Sequence, residues 1–334
     1  MKKLRIVQIG WLHDHALPTL TALKQLSDQF DLLGLVPYDP GFVQADPLFF
    51  SVPQLTMDKV LAMDDLDGVI VETEENSSTA VATLFAKKGV AVHLDKPGAQ
   101  DEAAFETMID TFKRTGAPLQ MGYMYRFNPV VRQLIADCQA HKYGQVFSVE
   151  AQMSVRHPDE KRQWLARFRG GMTFFLGCHL IDLVLQIKGL PERIIPLNKR
   201  TGINGCTAED YGFAVLEYPD GVSFIKTTAT EVNGFERRQL VISAEKGTFE
   251  VKPLEKHDLS RDAALNTTVL RSTEWAAEQN PWYDASAYTE CPPYDRYVPM
   301  MREFYEIAAG VKGNPYSLDY ELSLFKTILR ACGM

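Results

Sequence analysis

The chain has 334 residues, 46% of them hydrophobic and 23% charged, the balance of a soluble globular protein with room for two separate cores. A net charge of −8 and a pI near 5.5 argue against nucleic acid or an anionic membrane as the main partner, since both select basic surfaces. Five scattered cysteines without a CxxC pair predict a reduced, cytoplasmic protein, and no stretch is apolar enough for a membrane span or a secretory core.

In chain order, the first third alternates two patterns. Strands are predicted over 4–9, 30–36, 66–71, 90–94 and 118–121, and helices over 15–26, 57–63, 76–88 and 101–115. Gly89 and Gly116 supply helix stops. This alternation predicts an α/β chain that opens with a Rossmann-like, doubly wound parallel sheet over 1–122. Residues 123–334 form the second expected domain, α+β. A helix over 128–140 is opened by Asn128-Pro129, a cap and a first-turn proline. Strands over 146–155, 211–218, 222–230, 237–244 and 248–251, with turn signals at 219–221 and 245–247, predict a mostly antiparallel sheet carrying a helix at 174–187. The polar stretch 255–293 reads as loop, and helices over 298–309 and 318–331 close the chain.

Three stretches carry chemistry. Val90, Val92 and Leu94 alternate with Ala91 and His93, and the strand then stops at Asp95-Lys96-Pro97. A lysine held at the C-terminal end of a parallel strand can donate to a substrate oxygen. The first strand ends in Gly10-Trp11-Leu12-His13-Asp14-His15; of the three glycines that let a dinucleotide's diphosphate approach, only Gly10 is present. An acid for the ribose hydroxyls is displaced from the place of Pro37 to Asp39. His13 and His15 form an HxH, but His93, His141, His157, His179 and His257 supply no second ligand pair at zinc spacing, so no metal site is expected. Third, Gly170-Gly171 leads to His179 and Asp182, three apart on one helix face, where a carboxylate can orient an imidazole base. The basic run Arg156, His157, Lys161, Arg162, Arg167 and Arg169, with Trp164 in it, suits an anionic sugar; a solvated loop explains it equally well.

The order Thr73-Glu74-Glu75, Asp95-Lys96-Pro97, Gly122-Tyr123-Met124-Tyr125-Arg126-Phe127-Asn128-Pro129, Gly170-Gly171 and His179-Leu180-Ile181-Asp182 resembles the glucose-fructose oxidoreductase / inositol dehydrogenase / rhizopine catabolism (Gfo/Idh/MocA) family over essentially the whole chain. The resemblance implies a large open sheet in the second domain that makes a homodimer or homotetramer. It also implies a nicotinamide cofactor bound near Gly10, Leu12, His13, Asp39, Thr73, Glu74, Asn76, Asp95, Lys96 and Arg126. Glu74 and Glu75 favour NAD over NADP. Lys96, His179 and Asp182 would be catalytic, with Tyr123, Tyr125, Arg156 and Trp164 joining His179 at the substrate, a sugar, sugar acid or cyclitol oxidised by hydride transfer. The family's acid four residues before the histidine is Phe175 here. Two other readings therefore stand beside a dehydrogenase: a redox-assisted glycosidase or lyase with tightly held NAD, and a non-catalytic ligand-binding relative.

Overall fold

A computed structural model describes residues 2–38, 46–257, 265–275 and 286–334. Two compact units divide the chain, one of 1–124 with 297–325 and the other of 125–296 with 326–334.

The first unit is built on five parallel strands, β1 (Leu4–Ile9), β2 (Phe30–Val36), β3 (Gly68–Val71), β4 (Ala91–Leu94) and β5 (Leu119–Met121), in the order β2-β1-β3-β4-β5. Every residue of β3, β4 and β5 is buried, as expected for strands covered on both faces. Helices α1 (Ala16–Gln25), α2 (Met57–Leu61), α3 (Glu75–Lys87) and α4 (Glu102–Thr115) connect them. Asp101 caps α4 by accepting from the Ala104 N–H, and Gly116 ends it at φ 70°.

The second unit opens with α5 (Pro129–Gln139), whose cap Asn128 accepts from the N–H groups of Val130 and Val131. Strand β6 (Val146–Gln152) follows, then α6 (Asp159–Trp164) and α7 (Cys178–Lys188). Strands β7 (Arg193–Pro196), β8 (Tyr211–Tyr218), β9 (Gly221–Thr228), β10 (Gln239–Ala244) and β11 (Gly247–Val251) come next. The expected loop over 255–293 is corrected. Its described parts hold β12 (Lys256–His257), β13 (Leu265–Thr267), β14 (Val269–Glu274) and β15 (Ser286–Glu290), before β16 (Tyr294–Asp295). The large sheet runs β15-β14-β11-β10-β6-β9-β8-β7, with β6–β9 as its parallel pair, and β12, β13 and β16 form a small sheet. No residue of β14 is fully buried, so it lacks the in-out alternation by which a strand is recognised in a sequence. Inside the large sheet, by contrast, β10 and most of β8 alternate between buried and half-exposed positions.

The chain ends in α8 (Tyr297–Ala308) and α9 (Leu318–Ala331). The sequence pattern alone places residues 297–325 in the C-terminal domain; by packing they belong to the first unit. Phe304 of α8 stacks on Phe30 at 6.4 Å and meets His93 edge-on at 5.9 Å, and a Cβ at Gly68 would lie 3.2 Å from its ring. Phe304 is fully buried, so Phe304→Ala is expected to cost about 3–5 kcal/mol in urea denaturation. A loss below about 1 kcal/mol would detach α8 from this sheet. Among the described residues, no helix is long and apolar enough to cross a membrane.

Candidate active site

Strand order reverses between β1 and β3, and in such sheets the crevice beyond the carboxyl ends of these strands takes the ligand. Those ends carry Gly10, Glu72 and Asp95. Gly10 has φ 89°, and a Cβ there would come within 2.6 Å of the Thr73 backbone, so glycine is required by the close approach of two strand ends. The turn then folds back: the His13 N–H donates to the Glu72 carbonyl at 3.2 Å, and the Ala16 N–H to the His13 carbonyl at 2.9 Å. Both turn histidines are consequently buried, their rings edge-to-face at 4.9 Å.

Asp95, buried at the end of β4, lies between them. Its Oδ2 is 3.0 Å from Nδ1 of His13 and 3.0 Å from Nδ1 of His15, while its Oδ1 accepts the Lys96 N–H at 2.6 Å. The Glu72 carboxylate is 3.5 Å from His13 Nδ1, and Glu75 is 3.6 Å from His13 Nε2. A Cβ at Gly122 would fall 2.9 Å from Asp95 Oδ1, so the glycine after β5 leaves room for this carboxylate. Burial lowers His15 to about 4 against the opposing pull of Asp95, leaving the ring neutral at pH 7. Burial, and then the negative charge of Asp95, push Glu72 well above the usual carboxylate range. Burial would raise Asp95 too, but the two imidazoles hold it well below. Lys96 is 1% exposed and close enough for its charge to act on His15 and Glu72.

The other residues expected at a cofactor are spread more widely. Thr73 is buried, Glu74 is half-buried before α3, and Asn76 is exposed on its first turn. Leu12 packs on the apolar cluster of Trp11, Ala16, Leu20, Leu35 and Phe49. Asp39 lies outside the described residues. For a nicotinamide dinucleotide, the sheet order and a lysine at the end of β4 fit. The diphosphate seat departs from the glycine-rich form: the second and third glycine places hold Leu12 and His15, and the His15 N–H at the start of α1 is 3.2 Å from His13 Nδ1. Three buried carboxyl groups surround that imidazole, and none supplies the positive charge that a diphosphate calls for.

In the second unit, Gly170 and Gly171 answer to tight packing: a Cβ at Gly170 would meet Cys332 at 2.5 Å, and one at Gly171 (φ 41°) the Glu209 carbonyl at 2.2 Å. A π-helical turn, Thr173–Gly177, follows and runs into α7. Such turns reset the register of the next helix and recur at functional sites. His179 is 1% exposed, with the Tyr125 ring edge-on at 5.6 Å. The carboxylate expected to serve His179 is also bound elsewhere. Arg126 takes the Asp182 carboxylate with two bonds, Nε to Oδ2 at 3.0 Å and Nη2 to Oδ1 at 2.8 Å, and Gln186 donates to Oδ2 at 2.9 Å. A guanidinium matches a carboxylate in both charge and fork geometry and outcompetes an imidazole for it. This ties Arg126 to α7.

Tyr125 donates its hydroxyl to Glu255 at 2.9 Å, and Glu255 also pairs with Arg238 and Arg296. Burial, followed by the charge of Glu255, pushes the Tyr125 hydroxyl well up, so it remains a neutral donor. Tyr123 is buried in the first unit. The basic run divides. Arg162 is buried on Asp210 at 2.7 Å, a structural pair, whereas Arg156 is exposed beside His157 on a cavity of about 200 Å³. Lys161 lies 3.9 Å above the Trp164 ring and 4.7 Å above that of Phe175, and Phe175 also meets Trp164 at 5.3 Å and His157 at 6.1 Å. Phe175 has thus joined an aromatic cluster that a carboxylate could not.

Sequence reasoning missed Glu72 and Glu255, and it did not foresee that Glu75 lies against His13. Glu72 had a signal, an acid that ends the apolar run Val69-Ile70-Val71 directly at a strand's carboxyl end. Glu255 had none, since its partners are remote in sequence.

Residues 131–250 match the model of the GFO/IDH/MocA C-terminal domain. The chain is 22% identical to D-apiose dehydrogenase of Paraburkholderia graminis over 266 residues, 76% of this chain and 70% of that protein. An oxidoreductase from Agrobacterium radiobacter in complex with NAD+, L-tartaric acid and magnesium superposes with a TM-score of 0.79 at 16% identity, covering 99% of this chain and 97% of that one. The aldose-aldose oxidoreductase of Caulobacter crescentus, complexed with glycerol, gives 0.78 at 19% identity, with 99% and 98% covered. At these identities the two structures show a shared fold.

Proposed function

From its resemblance to the Gfo/Idh/MocA oxidoreductases, we propose that this chain is a nicotinamide-dependent dehydrogenase acting on a hydroxyl of a sugar, sugar acid or cyclitol. The observation that carries the reading is Lys96, buried at the carboxyl end of β4 in a sheet whose strand order reverses between β1 and β3. A relative that is a D-apiose dehydrogenase and a structural neighbour that holds NAD+ support it. NAD is the preferred form, because Glu74 and Glu75 would repel the extra phosphate of NADP.

A nicotinamide would accept hydride from the substrate carbon. In this reading the imidazole of His179 takes the hydroxyl proton, and the ammonium of Lys96 stabilises the oxygen as negative charge develops on it. Asp182 holds Arg126 and so anchors α7, which carries His179. The exposed Phe147, Val222 and Tyr288 of the large sheet support a homodimer or homotetramer formed through it.

Thermal unfolding with and without cofactor tests the reading. A ligand at 100 times its Kd adds about 2.7 kcal/mol, a clear rise in midpoint. No shift with NAD+, NADH, NADP+ or NADPH would exclude the proposal. A second reading, sugar cleavage assisted by a transient oxidation, is favoured by Phe175, which leaves the family's usual acid place aromatic. Cleavage of a glycoside without net NADH formation would establish it in place of the first.

A further inference from the structure

We propose that His13, His15 and Asp95 form a binding site for a divalent transition metal, with zinc the ion that suits it best. No metal was expected from sequence, because the HxH had no second ligand pair at a suitable spacing. The fold supplies the third ligand from another strand end, 80 residues away. One donor atom from each of the three residues lies within 4.8 Å of the others, and all three side chains are buried. Asp95 Oδ2 stands 3.0 Å from both Nδ1 atoms. Ligands bound tetrahedrally to zinc at about 2.0–2.2 Å lie about 3.3–3.6 Å apart, so small side-chain shifts admit the ion.

An independent observation points into the same place. Glu72 is fully buried, and neither of its carboxylate oxygens has a hydrogen-bond partner, although Oε2 lies 3.5 Å from His13 Nδ1. A buried carboxylate left so is costly unless it is protonated or meets a cation. Glu72 is thus placed to act as the fourth ligand, the second through oxygen. Glu75, 3.6 Å from the far nitrogen of His13, occupies the place from which a carboxylate commonly orients a metal-bound imidazole. Two imidazoles in the donor set favour zinc or a neighbouring transition ion over magnesium or calcium.

The test uses the full-length protein, stripped with chelator and titrated with zinc chloride without cofactor or substrate, so failure here leaves the oxidoreductase reading untouched. After desalting, elemental analysis is expected to find about one zinc per chain, and zinc is expected to raise the thermal midpoint. Asp95→Asn and His15→Gln, checked for folding by circular dichroism, are expected to weaken zinc binding by about tenfold or more. Cobalt in place of zinc should show visible d–d bands without a thiolate charge-transfer band. Wild-type protein that retains no zinc, variants that bind as tightly as wild type, or a thiolate band would each overturn the proposal. The first of these outcomes needs no variant to fold.

Discussion

Arg126→Met is expected to destabilise the protein by about 3–5 kcal/mol, because it leaves the Asp182 carboxylate buried without its guanidinium. Asp182 is 1% exposed, and the neutral amide of Gln186, which donates to it at 2.9 Å, does not replace two charge-assisted bonds. The double variant Arg126→Met/Asp182→Leu is expected to recover most of the loss, since replacing both buried charges by apolar side chains of similar size is often neutral or better. Urea denaturation of the single and double variants measures both effects. A single variant within about 1 kcal/mol of wild type would mean that the pair is solvated in solution. The consequence reaches beyond stability. Arg126 follows directly on Tyr125, so the same short segment is fixed to α7 by one ion pair and to Glu255 by a hydroxyl.

Local signals were legible in the sequence wherever one element sufficed to determine them. Asn128-Pro129 and Asp101 mark helix starts that the structure confirms atom by atom, and the hairpin turn at 219–221 joins β8 to β9. What could not be read depended on partners far away. His179 and Asp182 do share a helix face, but spacing cannot reveal that Arg126 reaches the carboxylate first. The HxH turn could be seen, yet Asp95 between its rings could not, because parallel strands bring together ends that the chain separates by a helix or more. Leu12 could be judged a departure from a glycine pattern; that it packs on an apolar cluster completed by Leu35 and Phe49 depends on the following strand and turn. The stretch over 255–293 failed for a different reason. A strand at the rim of a sheet, half-exposed on both faces, carries no periodic signature to read.

His179→Ala is expected to lower turnover by about 10²–10⁴-fold while NAD+ still stabilises the protein on heating, the loss that follows from removing a general base without removing binding. The rate is read as NADH formation on a panel of pentoses, hexoses and inositols. Asp182→Asn provides the contrast. In a catalytic pair of carboxylate and imidazole, the neutral amide would change the tautomer and basicity of the ring and shift the acid limb of the kcat/KM profile. In this structure the carboxylate belongs to Arg126, so Asp182→Asn is expected to cost stability and leave the acid limb in place. Only His179→Ala should remove that limb. If Asp182→Asn moves it by about one pH unit or more, the carboxylate acts on His179 during turnover, and the Arg126 pair must open to allow it. If His179→Ala keeps full turnover, the proton leaves by another route, and the assignment of His179 as base is lost while that of Lys96 stands on its own.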